Sequence, residues 1–140
     1  MTRATIVDTG PIVALLSHSD RWHGWAKEQF GALRAPLFTC EAVLSEAGFL
    51  LRDDGQAIDA LFGLLERRVL EIGFDLGAEH LSVRALMRRY ANVPMSVADA
   101  CVVRMSELLG VAQVLTLDSD FSVYRRLGRQ MIPLVTPRLR

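Results

Sequence analysis

Apolar and polar positions alternate along this chain in two rhythms, one of strands and one of helices. Ala4-Thr-Ile-Val7 is a short β-branched run closed by Asp8-Thr9-Gly10-Pro11, which reads as a strand ending in a turn. The apolar run from Ile12 to Leu16 starts a helix behind Pro11, and His18-Ser-Asp20 breaks it. Asp20 is placed to cap a second helix, in which Trp22, Trp25, Ala26 and Phe30 fall at helical spacing before Gly31 and Pro36. Leu37-Phe-Thr39 reads as a second strand. Helices are predicted from about Glu41 to Leu51 and from about Ala57 to Arg68, separated by Asp53-Asp-Gly55. Val69 to Ile72 is a third strand, and Asp75 caps a fifth helix running towards Tyr90. Val114-Leu-Thr116 is a fourth strand. A short helix from Asp118 or Ser119 to Gly128 and an edge strand from Met131 to Val135, marked by Pro133, complete the pattern.

One stretch departs from amphipathic rhythm. Pro94 disfavours helical geometry at Val93 and ends the element before it. Ser96 is then a good N-cap for a helix that is apolar nearly all round, with Val97, Ala98, Ala100, Cys101, Val102 and Val103, and that stops at Gly110. Such a helix is buried. Asp99 is therefore a carboxylate in the first turn of a buried helix. One reading is a capping-box acid bonding back to Ser96; the other is a member of a functional acid cluster.

Short strands alternating with helices predict a single α/β domain over residues 1–140, with a mostly parallel, short-stranded sheet and helices on both faces. In such sheets ligands bind outside the carboxyl ends of the strands. That rule selects four acids. Asp8 closes strand one, Asp118 lies just past strand four, and Asp99 opens the helix leading into strand four. Glu46 belongs to a helix beginning at the end of strand two, on or beside a stripe of Val43, Ala47 and Leu50, where an unpaired carboxylate is expensive. Each acid also has a plain structural reading: a turn for Asp8, helix caps for Asp99 and Asp118, and a pair with Arg52 for Glu46. Only a shared metal site explains all four together.

Composition sharpens this picture. Formal net charge is zero, so nucleic-acid contact requires a local basic patch. Arg125, Arg126, Arg129, Arg138 and Arg140 are the foremost candidates for nucleic-acid phosphate contact, with Arg84 and Arg88 as a second group. Cys40 and Cys101 sit in apolar surroundings and read as buried free thiols, in no metal-type spacing. Asp8 interrupts any signal-peptide core, and no apolar run reaches the ~20 residues of a membrane span, so a soluble, cytoplasmic protein is expected. Clustered carboxylates repel one another unless a hard divalent cation, Mg²⁺ or Mn²⁺, offsets their charge. Phosphodiester hydrolysis is the chemistry that uses such a cluster. Thr9 and Thr116 are placed to orient ligands or water from behind it. His18, Asp20 and His23 read as a loop and helix cap, since nothing completes a ligand set.

Asp8 in Ile-Val-Asp-Thr-Gly, Glu46 in Ala-Val-Leu-Ser-Glu, Asp99 in Met-Ser-Val-Ala-Asp-Ala and Asp118 in Leu-Thr-Leu-Asp-Ser-Asp-Phe resemble the motifs of PIN-domain nucleases. The resemblance runs from about Thr5 to Val135, and the chain length resembles that of VapC-like toxins of bacterial toxin–antitoxin pairs. It implies an Mg²⁺- or Mn²⁺-dependent endoribonuclease, a homodimer held inactive by a small antitoxin. The fourth acid maps to Asp118, with Asp120 as the alternative and otherwise a cap of the short helix.

Other classes fit less well. A phosphate-accepting receiver domain needs a late-strand lysine, and the only lysine is Lys27. A haloacid-dehalogenase-like phosphatase needs Asp-x-Asp after strand one, where Gly10 stands instead. The remaining alternative is a non-catalytic RNA-binding or protein-interaction module on the same fold.

Overall fold

A computed structural model describes residues 3–110 and 112–137. Five strands form one parallel sheet in the order β3-β2-β1-β4-β7. They are β1 (Ala4–Val7), β2 (Leu37–Thr39), β3 (Leu70–Ile72), β4 (Ala112–Leu115) and β7 (Leu134–Val135). Between them run α1 (Thr9–Leu16), α2 (His23–Ala32), α3 (Glu41–Leu50), α4 (Gly55–Glu66), α5 (Leu76–Arg89) and α6 (Val97–Leu108). The chain steps from β1 through β2 to β3 and then returns past β2 and β1 to β4. Crossovers of one hand therefore lay the two sets of helices on opposite faces.

The core explains why the elements form where they do. Ile6, Val7, Leu37, Val114 and Leu115 are fully buried in the sheet, and Ala100, Val102 and Val103 of α6 are buried against it. Small side chains let α6 pack closely on β1 and β4, while α5 covers its outer side. Helix starts follow their caps: Asp54 accepts from the Ala57 N–H at 3.1 Å and Asp75 from the Ala78 N–H at 3.2 Å. No helix among the described residues is long and apolar enough to cross a membrane.

Four boundaries differ from the sequence reading. Helix α1 begins at Thr9, two residues before Pro11, so Asp8 is its N-cap. Helix α2 begins at His23; Asp20 instead accepts from the Trp22 N–H at 2.8 Å and shapes the turn before it. Strand four ends at Leu115, leaving Thr116 just outside it. The largest difference is at the C-terminal end. The short helix expected to reach Gly128 is only a 3-10 turn, Ser119–Ser122, followed by an antiparallel hairpin of β5 (Arg125–Arg126) and β6 (Gln130–Met131). Leu127 and Gly128 turn it with positive φ of 50° and 85°. Met131 thus belongs to the hairpin and only Leu134–Val135 joins the sheet, at its edge, where Pro133 still supplies a carbonyl to the Val114 N–H.

Strand β1 lies between β2 and β4, where the order of winding reverses. Its carboxyl end faces the crevice in which open α/β sheets bind ligands.

Candidate active site

Three carboxylates meet at that crevice. Asp8, Asp99 and Asp118 each offer an oxygen, and these oxygens all lie within 4.8 Å of one another. The cleft they line measures about 280 Å³ and is bordered also by Thr9, Gly10, Glu46, Leu50 and Leu117. Register brings the ends of β1 and β4 together: Val7 pairs with Leu115, and the Asp8 N–H donates to the Leu115 carbonyl at 3.0 Å.

Asp8 is only 5% exposed. Burial pushes its carboxyl up to about 7; the charges of Asp99 and Asp118 add to this, against the Thr9 N–H and the Thr116 hydroxyl, which favour the ionised form. Thr116 is fully buried and links two of the acids. Its hydroxyl donates to Asp8 Oδ2 at 2.9 Å and accepts from the Asp118 N–H at 2.9 Å. Asp118 in turn accepts from the Asp120 N–H at 2.9 Å, so it caps the 3-10 turn as well as facing the cleft.

Asp99 is likewise a capping acid that also stands in the cluster. The capping box is present: Ser96 Oγ accepts from the Asp99 N–H, and Asp99 Oδ2 accepts from the Ser96 N–H, each at 3.0 Å. Tyr124 Oη donates to the same Oδ2 at 3.4 Å. These bonds fix the side chain while the carboxylate remains in the cluster. Burial holds the Asp99 carboxyl above its usual range, and the Asp118 charge adds to this, against the Ser96 bonds.

Glu46 lines the cleft but is outside the three-acid group. It is exposed, as is Leu50 at 57%, so the stripe inferred from the sequence is narrower and the argument from burial cost does not hold. Its carboxyl is still raised, first by desolvation and then by Asp99 and Asp118. Arg52 does not pair with it; that guanidinium lies 4.1 Å from the Phe49 ring centroid. Asp120 is half-buried and is outside the three-acid group.

The arginines are not in the cleft. Arg125 turns its Nη1 back onto the Ser122, Val123 and Tyr124 carbonyls at 2.7, 3.0 and 3.1 Å. Arg126 is half-buried, with its Nε lacking a partner among the described residues, and Arg129 is exposed. Arg84 and Arg88 are exposed on α5. Arg138 and Arg140 lie outside the described residues. His23 Nδ1 meets the Ala14 carbonyl at 2.9 Å, and Cys40 and Cys101 are free and buried, as expected.

Tyr124 is the functional candidate that sequence reasoning missed. It is fully buried, edge-on to Phe121 and Tyr90, with its hydroxyl on Asp99. Only the position of the hairpin brings it there, and that position has no local signature.

The donor set fits a hard divalent cation. All its atoms are oxygen, and among the described residues two of the acids are nearly buried with no cationic side chain paired to them, and Thr9 Oγ1 is buried with no partner. Leaving such a hydroxyl unsatisfied costs about 1–3 kcal/mol.

No curated protein matches the sequence. Among solved structures, Mycobacterium tuberculosis VapC20, described as a sarcin–ricin loop-cleaving toxin, superposes with a TM-score of 0.79 at 23% identity, covering 91% of this chain and 99% of that one. At that identity the likeness is one of fold. The PIN-domain family model matches residues 5–127, which include Asp8, Glu46, Asp99 and Asp118, and the chain therefore belongs to the PIN-domain family.

Proposed function

We propose that this protein is a metal-dependent endoribonuclease and the toxin of a toxin–antitoxin pair. The observation that carries the reading is the convergence of Asp8, Asp99 and Asp118 to within 4.8 Å, in a cleft at the switch point of the sheet. Family membership supports nuclease chemistry, and the fold likeness to VapC20, a toxin that cleaves the sarcin–ricin loop, supports RNA as substrate.

Asp8, Asp99 and Asp118 would hold Mg²⁺ or Mn²⁺. When bound, the cation offsets the carboxylate charges, acidifies a water and stabilises charge on the phosphoryl oxygens. Thr116 keeps Asp8 and the Asp118 backbone in register, and Ser96 with Tyr124 keeps Asp99 in its rotamer. Glu46, at the rim and with a raised carboxyl, would take up the proton that the attacking water loses. Exposed Arg129, with Arg84 and Arg88, would contact RNA phosphates, while Arg125 holds its own hairpin. A homodimer, a small antitoxin and a cytoplasmic setting complete the proposal.

The test is cleavage of an RNA panel by protein purified away from any partner. Cutting with Mg²⁺ or Mn²⁺ that stops with EDTA supports the reading. RNA binding without cleavage under both ions would identify a non-catalytic module instead.

A further inference from the structure

One wall of the acid cleft is apolar and open. Leu50 lines it beside Glu46 and is 57% exposed. Both belong to α3, four residues apart, so they stand a turn from each other on one face of the helix. Phe49, three residues after Glu46, borders the same face and is 62% exposed. Leu117 lines the cleft from the loop that carries Asp118. Large apolar side chains grouped in the open mark a binding surface.

The neighbouring side chain indicates the partner. Arg52 sets its guanidinium 4.1 Å from the Phe49 ring centroid and donates to the Phe49 carbonyl at 2.8 Å. It forms no ion pair among the described residues. Bases of single-stranded RNA stack on aromatic rings and guanidinium planes, and the cation suits the phosphates between them. An apolar protein segment would meet that cation without an acceptor. The surface is also continuous, through Leu50, with the cleft that holds the acids.

We propose that the last turn of α3 is a nucleobase subsite, in which a base of the RNA next to the phosphate at the acid cluster packs on Leu50 and Phe49. The subsite rests on the metal-dependent ribonuclease reading, which puts that phosphate at Asp8, Asp99 and Asp118. Arg52 holds the Phe49 ring in place. Stacking and apolar contact position a base without choosing its identity, because every base has a π-face.

Fluorescence anisotropy in Ca²⁺, which takes oxygen ligands as Mg²⁺ does, reads the subsite with two probes. One is a short single-stranded RNA and the other is the same strand with its bases removed. Leu50→Ala and Phe49→Ala should each bind the base-bearing strand about tenfold more weakly and the abasic strand as wild type does. Leu50→Met, of similar volume, should bind both as wild type does. The salt slope of binding should not change, since no phosphate contact is lost. Melting and Mn²⁺ affinity by calorimetry should stay near wild type, since both side chains are more than half exposed and neither is an acid of the cluster. Equal losses on the two strands, or no loss on the base-bearing one, overturn the subsite, as does a wild type that binds the two strands equally. A variant that changes the oligomeric state in sedimentation and leaves RNA binding unchanged makes this turn an interface between copies instead. Wild-type protein that binds neither strand, with or without metal, removes the ribonuclease reading itself and the subsite with it. If Phe49→Ala fails to fold, Phe49→Leu, which removes the ring and keeps apolar bulk, is read in the same assays.

Discussion

Replacing Asp8 by Asn should stabilise the metal-free protein, and the size of the effect follows from the site. Burial holds the Asp8 carboxyl at about 7 against a reference of 3.8. The folded state therefore keeps this proton more tightly than the unfolded chain. Stability from that proton is fully present below about pH 4 and is lost as pH rises through 7. At about 1.36 kcal/mol per pH unit across that window, ionised Asp8 destabilises the metal-free fold by up to about 4 kcal/mol at pH 8. Asn has nearly the same size, is an equally good N-cap, and still accepts the Thr116 hydroxyl through its carbonyl. Its amide replaces an oxygen that lies within 4.8 Å of oxygens of Asp99 and Asp118, so a repulsive charge is removed from the cluster. For a domain of this length, 4 kcal/mol corresponds to roughly 10 °C in Tm. Thermal melts in EDTA at pH 8 should place Asp8→Asn above wild type by up to that amount, with the gap closing towards pH 4. In Mn²⁺ the order should reverse, because stabilisation by a ligand follows its affinity. A mutant that melts lower than wild type in EDTA at pH 8, or a gap that ignores pH, would refute the reasoning.

Three further outcomes follow from particular contacts. Thr116→Val breaks both bonds of the bridging hydroxyl and should lower Mn²⁺ affinity or cleavage about 10–100-fold, measured by calorimetry and a fluorogenic RNA assay. Tyr124→Phe removes only the long bond to Asp99 Oδ2 and should cost less than about tenfold in cleavage, with melting within about 1 kcal/mol of wild type. Arg125→Ala should destabilise the protein through its lost carbonyl contacts, whereas Arg129→Ala should leave Tm unchanged and flatten the salt dependence of RNA binding.

Much of this architecture is legible in the sequence because local chemistry decides it. The Ser96–Asp99 spacing encodes a capping box, and the uninterrupted apolar face after it encodes a helix buried on the sheet. The β-branched run ending at Asp8 and the run Val114-Leu-Thr116 encode the two strands whose ends meet at the cleft, although the second strand stops one residue earlier. The burial argument for Glu46 fails, since α3 buries Val43 and Ala47 but leaves Leu50 exposed at the cleft. The width of a helix's buried face depends on its neighbours, which its own sequence does not contain. The β5–β6 hairpin was illegible for a related reason. Its strands are two residues each, and Leu127 adopts a positive φ that leucine disfavours, so no turn signature marks it. The hairpin is held instead by distant groups: Glu107 accepts from the Leu127 N–H, Tyr90 Oη from the Arg125 N–H, and Arg89 donates to the Gly128 carbonyl. Tyr124 owes its place beside Asp99 to those contacts.

Asp8, Asp99 and Asp118 are proposed to act as one metal-holding unit that cuts RNA. RNA cleavage and Mn²⁺ binding by wild type, Asp8→Asn, Asp99→Asn and Asp118→Asn, measured side by side, decide this. Wild type should bind Mn²⁺ and cleave only in its presence, and each substitution should weaken Mn²⁺ binding and abolish cleavage while the protein remains folded. Wild-type cleavage that persists in EDTA, or a folded variant of any of the three that binds Mn²⁺ and cuts as wild type does, would contradict it.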